Sequence, residues 1–225
     1  MTSLAAESSV FKPALFPRAL VRLCSKAQRE LWGLRLGRVY GFGIGLSYAV
    51  VAFVGPASTA TSTRLWVRAV GTASWVAGIG ALSLARDLSA RDAARGLSSL
   101  SRLRGYGEAE LERARTLAGA IRLSTTVALP GLMLSLASLL RFHTLRDAAV
   151  ALALALLTLP YAACVGGCLA PLARACSRLL PGRGRMLLLA LVLGPWLLGS
   201  GLRLPVPSLP AAFGWLLQHL AQGLR

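Results

Sequence analysis

The sequence predicts an all-α integral membrane protein: a six-span helical bundle with both termini inside. An N-terminal amphipathic elbow helix precedes the bundle, and a cytoplasmic helical hairpin joins spans two and three. Three observations predict this class. Six long uncharged stretches punctuate the 225 residues. The 25 lysines and arginines fall between them in groups of seven, two, eight, two, four, one and one, which puts twenty on one side of a membrane and five on the other. That sorting is the positive-inside pattern, and it sets the orientation. Finally, 55% of residues are apolar with a mean hydropathy of +0.62, yet the net charge is +17. A water-soluble globule of this size cannot hide six such stretches, whereas a bilayer accepts them as helices with their charges left at the ends.

The elements follow in order. Residues 1–38 form a cytoplasmic tail too polar to be a secretory signal, so the first span is read as an uncleaved anchor. Within the tail Phe16, Leu20, Leu23, Ala27, Leu31 and Leu34 recur at helical spacing, with Arg18, Arg22, Lys26 and Arg29 on another face. Such a helix either lies in the membrane interface with its arginines toward anionic headgroups or packs on other parts of the protein; the interfacial placement is the expectation. The membrane domain, 39–225, has spans at about 39–56, 69–85, 123–140, 148–173, 186–202 and 208–224. Gly37, Gly41 and Gly45, four residues apart, make a smooth stripe for close helix packing, within the chain or between subunits. Pro130 with Gly131, Pro160 with Tyr161, and Gly194 with Pro195 are expected to kink or interrupt the third, fourth and fifth spans. The sixth is restricted by Pro205, Pro207 and Pro210, and it carries Gln218 and His219; a core or interfacial helix is the alternative there.

Residues 86–122 form the one long loop between spans. It holds eight arginines and five of the eight acids, Asp87, Asp92, Glu108, Glu110 and Glu112. Two helical pieces, 86–103 and 108–122, flank Gly105-Tyr106-Gly107, and the second has acids at its start and arginines at its end, matching the helix dipole. A mixed-charge hairpin of this kind suits a soluble partner; a solvated loop with internal salt bridges is the alternative.

Chemistry is sparse. No catalytic constellation, phosphate-binding loop, cofactor motif or metal-ligand cluster is legible. His143 and Asp147 are read as a solvated turn. Ser47, Tyr48, Thr72, Ser74, Thr125, Thr126 and Ser135 are the mild polar candidates within the spans. Cys164 and Cys168 share a helix face, but with no His or carboxylate nearby they read as packing residues. Cys24 and Cys176 face the cytoplasm, where no disulfide is expected. Arginines interleaved with hydrocarbon spans do not make a nucleic-acid surface. With no ionisable group in the first five spans, any transport must draw its energy from elsewhere.

The layout resembles the permease subunits of type-2 ATP-binding-cassette exporters. Residues 17–38 correspond to that family's elbow helix and 86–122 to its coupling region. The run Asp92-Ala-Ala-Arg-Gly-Leu, followed by Arg104-Gly-Tyr-Gly-Glu-Ala-Glu-Leu, is similar to the family's coupling segment. The chain departs from the family in a longer, more arginine-rich coupling region and in a loop at 203–207 with little room for re-entrant helices. The resemblance implies a multi-pass protein of the bacterial inner membrane that exports a lipid, glycan, drug or peptide. It would work with a second permease copy or paralogue, powered by a separate cytoplasmic ATP-binding subunit and without a cofactor of its own. Asp92, Arg95, Leu97, Leu103, Glu108 and Glu110 are the candidate coupling residues. A non-transporting membrane scaffold or assembly protein that recruits a cytoplasmic partner through the same loop is the alternative.

Overall fold

A computed structural model of the chain describes residues 18–55, 59–86, 96–141, 144–202 and 208–222, with the backbone alone at 59, 100 and 196–202. Every regular element among the described residues is a helix: α1 (Arg18–Gln28), α2 (Trp32–Val54), α3 (Thr59–Leu84), α4 (Leu97–Leu103), α5 (Glu108–Leu140), α6 (Leu145–Leu179), α7 (Gly184–Leu202) and α8 (Leu209–Gln222).

Four of these, α2, α3, α5 and α6, are long and apolar enough to cross a bilayer. At 1.5 Å per residue, α5 and α6 are each roughly 50 Å long, well beyond a ~30 Å hydrocarbon core. Four helices of crossing length are thus present among the described residues, where six spans were expected. Helix α7 has 19 residues, and α8 has 14, so α8 reaches only about 21 Å. Its shortness follows from the prolines before it, since Pro210 is accommodated only as its second residue.

α5 is the axis of the bundle. It packs along α6 for most of its length and also touches α1, α2, α3 and α4. The packing of α2 is the clearest sign of a lipid environment. Its five buried residues are Gly33, Leu34, Gly37, Gly41 and Gly45, so the small face turns inward. Trp32, Val39, Tyr40, Phe42, Leu46, Val50 and Phe53 face out. Water would penalise that inversion, whereas lipid tails match the large side chains and leave close backbone packing to hold the helices. The glycine stripe runs along α5 within the same chain. A Cβ on Gly41 would lie 2.9 Å from the Thr126 carbonyl oxygen, and one on Gly45 would lie 3.0 Å from the Pro130 Cα.

Two further fasteners fix the register. Trp66, fully buried on α3, donates its indole N–H to Thr158 Oγ1 at 2.8 Å, and Thr158 donates to the Leu154 carbonyl at 2.7 Å. At one end of the bundle Arg141 donates to the carbonyls of Ala52, at 3.0 Å, and Gly55. The bond to Ala52 serves one of the carbonyls that the end of α2 leaves open, beside the Val51 carbonyl that accepts from the Gly55 N–H at 2.8 Å. α2 and α5 are thereby paired in parallel.

Three expectations change. The tail does not run as one helix over 17–38: it breaks at Arg29–Leu31, and α2 already begins at Trp32. α1 buries Leu20, Cys24 and Gln28 against α5. The piece at 108–122 is not separate either, because it continues without a break into the third apolar run. Finally, α6 and α7 remain helical through Pro160 and Pro195, so neither interrupts its helix as expected.

Candidate functional site

The hairpin between α3 and α5 is built from its turn outward. α4 ends in a glycine-closed cap: Gly105, at φ +73°, donates to the Arg102 carbonyl, and Tyr106 donates to the Ser101 carbonyl, both at 2.9 Å. This reciprocal pair satisfies carbonyls that the helix end leaves open, and the positive φ calls for glycine. On the far side of the turn the Glu110 carboxylate accepts from the Gly107 N–H at 3.0 Å, closing the start of α5. Two capped ends only a few residues apart hold the tip in a fixed shape.

Beneath the tip lies a small second core. Leu20 and Cys24 of α1 meet Leu111, Ala114 and Ala118 of α5, with Leu97 and Tyr106 packed at its edge. Polar bonds flank it: Gln28 Nε2 donates to the Arg115 carbonyl at 2.9 Å, and Arg122 donates to the Ser25 carbonyl and, at 3.0 Å, to Ser25 Oγ.

At the base of the hairpin Glu112 gathers three arginines. Arg115 bonds it from one turn along the helix; Arg174 Nη2, from α6, reaches both carboxylate oxygens at 2.7 Å; Arg178 reaches one at 3.1 Å. Arg115 and Arg174 are 7% exposed, whereas the Arg178 side chain is 62% exposed. Arg174 Nε and Nη1 are buried without a hydrogen-bond partner among the described residues. Among the described residues, this cluster sets one carboxylate against three guanidiniums.

Glu112 lies eleven residues before the uncharged run that opens at Leu123. Burial opposes its ionisation, but the hydrogen bonds and charges of Arg174, then Arg115, outweigh burial and lower its pKa from 4.5 to about 2. A carboxylate depressed in the folded state stabilises the fold above its unfolded pKa and loses that contribution as pH falls through the folded one. The difference is worth ~3 kcal/mol. Unfolding titrations in non-ionic detergent should lose about that much stability between pH 5 and pH 2, and Glu112→Gln should remove this component of the acid dependence.

No family model, curated protein or solved structure matches the chain. The geometry therefore stands alone in assigning roles. Of the candidate coupling residues, Asp92 and Arg95 lie outside the described residues. Leu97 turns inward to the second core. Leu103 is 84% exposed, and Glu108 and Glu110 are exposed beside it. Gly37, Gly41 and Gly45 all face α5.

Sequence reasoning read Arg115 and Arg122 only as arginines matching the helix dipole, left Arg174 and Arg178 in a simple basic turn, and counted Glu112 only among the acids of the loop. A signal existed for part of this group. Arg115 and Arg122 are seven residues apart on the face that also carries Leu111 and Ala118, and charges placed on an apolar helix stripe require partners.

Proposed function

We propose that the chain is the membrane-spanning permease subunit of an ATP-driven transporter, docking a separate cytoplasmic ATP-binding subunit through the α4–α5 hairpin. In this reading there are six crossings with both termini inside, α7 and α8 supplying the last two. The protein resides in a bacterial inner membrane and works beside a second permease copy or paralogue. The observation that carries the reading is Leu103, 84% exposed at the tip of a hairpin capped on both sides. An exposed apolar side chain at a capped helix end, on a hairpin that also exposes Arg102, Arg104, Glu108 and Glu110, offers a contact point for a soluble protein. Two features support it further: the arm continues into a long apolar helix, and it projects from the arginine-rich end, which the positive-inside pattern places in the cytoplasm.

The test is affinity purification of the full chain from its native membrane with ATPase activity as the readout. Leu103→Asp is expected to reduce the co-purified activity by roughly tenfold or more, as for an interface hot spot. Arg146→Gln, at the other end of the bundle, should leave it unchanged. If the wild-type chain brings down a cytoplasmic protein without ATPase activity, and Leu103→Asp releases it, the scaffold reading replaces the transporter.

A further inference from the structure

A groove of about 590 Å³ opens between α5 and α6 on the outer face of the bundle. Its lining changes character along its length. At one end stand Arg113, exposed, and Arg178, whose side chain is 62% exposed. At the other lie Leu117 and Ala120 of α5 facing Gly167 and Pro171 of α6. From Arg178 to Gly167 is eleven residues, or about 16 Å along the helix. That length suits a headgroup layer together with the upper part of an acyl chain.

Charge settles which end meets phosphate. Glu112 also borders the groove, but it is neutralised by Arg115 and Arg174 from behind. Arg113 makes no ion pair among the described residues, and Arg178 gives one N–H to Glu112. The rim is therefore net positive, while the floor is apolar and lacks a side chain at Gly167, where an added Cβ would meet nothing within 4 Å. Arg122, close by in sequence, points to α1 and leaves the floor uncharged.

We propose that this groove binds an anionic phospholipid, its phosphate held by Arg113 and Arg178 and the start of one acyl chain lying over Leu117, Ala120, Gly167 and Pro171. The site is independent of the ATPase partner; it requires only that this end of α5 and α6 meet a bilayer surface. The lipid would fill the furrow between the two helices that form the central pair and bring an anion to Arg113, which makes no ion pair among the described residues.

The test uses the purified full chain, exchanged into detergent with phosphatidylglycerol or phosphatidylcholine of the same acyl chains, and counts retained lipids by native mass spectrometry. Wild type is expected to retain phosphatidylglycerol preferentially. Arg113→Gln and Arg178→Gln should each weaken retention about fivefold. Gly167→Leu fills the floor without changing charge and should also displace the lipid, with an unchanged melting temperature showing that the fold is intact. The double variant Arg102→Gln/Arg104→Gln, on the hairpin tip, should retain lipid as wild type does. Equal loss in that variant would mean general attraction to a basic surface and would overturn the site, as would full retention in Gly167→Leu. Unchanged lipid retention in the Arg113 and Arg178 variants, accompanied by loss of a co-purifying protein, would assign the groove to a protein contact instead.

Discussion

Gly166→Ala is expected to destabilise the protein severely, whereas Gly167→Ala, one residue on, should be silent. A Cβ at 166 would lie 2.4 Å from the Ala120 carbonyl oxygen, 2.9 Å from the Ser124 backbone nitrogen and 2.2 Å from the Ser124 hydroxyl. The hydroxyl can rotate away, but the backbone atoms cannot, so α5 and α6 must separate along their shared length. Overpacking a core costs about 1–3 kcal/mol when side chains can shift. With backbone on both sides the upper end of that range, ~3 kcal/mol, is the expectation here. At 167 a Cβ meets nothing, and Ala should fall within about ±0.5 kcal/mol of wild type. Paired melts of the two variants in one detergent check this; equal melting temperatures would disprove the close α5–α6 approach.

Removing the Glu112 carboxylate has the second large effect. Glu112→Ala takes from the buried Arg174 the carboxylate that holds it, and breaking a buried pair in this way costs ~3–5 kcal/mol. Arg178→Ala removes a largely exposed partner and should cost under ~1 kcal/mol. Replacing the whole buried group, as in Glu112→Leu with Arg115→Met and Arg174→Met, should recover most of the loss, because no unpaired charge then remains. Unfolding free energies across this series separate a genuine ion cluster from simple packing: if Glu112→Ala and the triple variant are equally unstable, charge is not what holds the hairpin base together.

The apolar runs were legible because hydrocarbon is an exacting solvent: a charge inside it is costly, so the uncharged stretches mark the lipid-compatible lengths. They did not mark where helices end. Helix α5 was divided at Leu123 because charge changes there, but main-chain hydrogen bonding is indifferent to side-chain charge and continues from Glu108. The stripe of Gly37, Gly41 and Gly45 could be seen as a packing face, though spacing alone does not name a partner; Thr126, Pro130 and Met133 emerge only in three dimensions. The turn at Gly105 was readable from glycine chemistry. The Glu112 cluster was not, since it joins residues about sixty positions apart. Nothing local to Arg174 distinguishes it from any other arginine in a basic turn.

The unbroken course of α5 has a mechanical meaning. A single rod of 33 residues runs from the hairpin turn to Arg141, which grips the end of α2 through two carbonyls. No loop between the two ends can absorb a displacement. If the rod tilts by about 10° around its midpoint, each end moves about 4 Å, in opposite directions. A displacement of the Glu108 end of the rod would then reach the far turn of α2 reversed in direction: the helix is a lever, and the glycine face of α2 is its fulcrum.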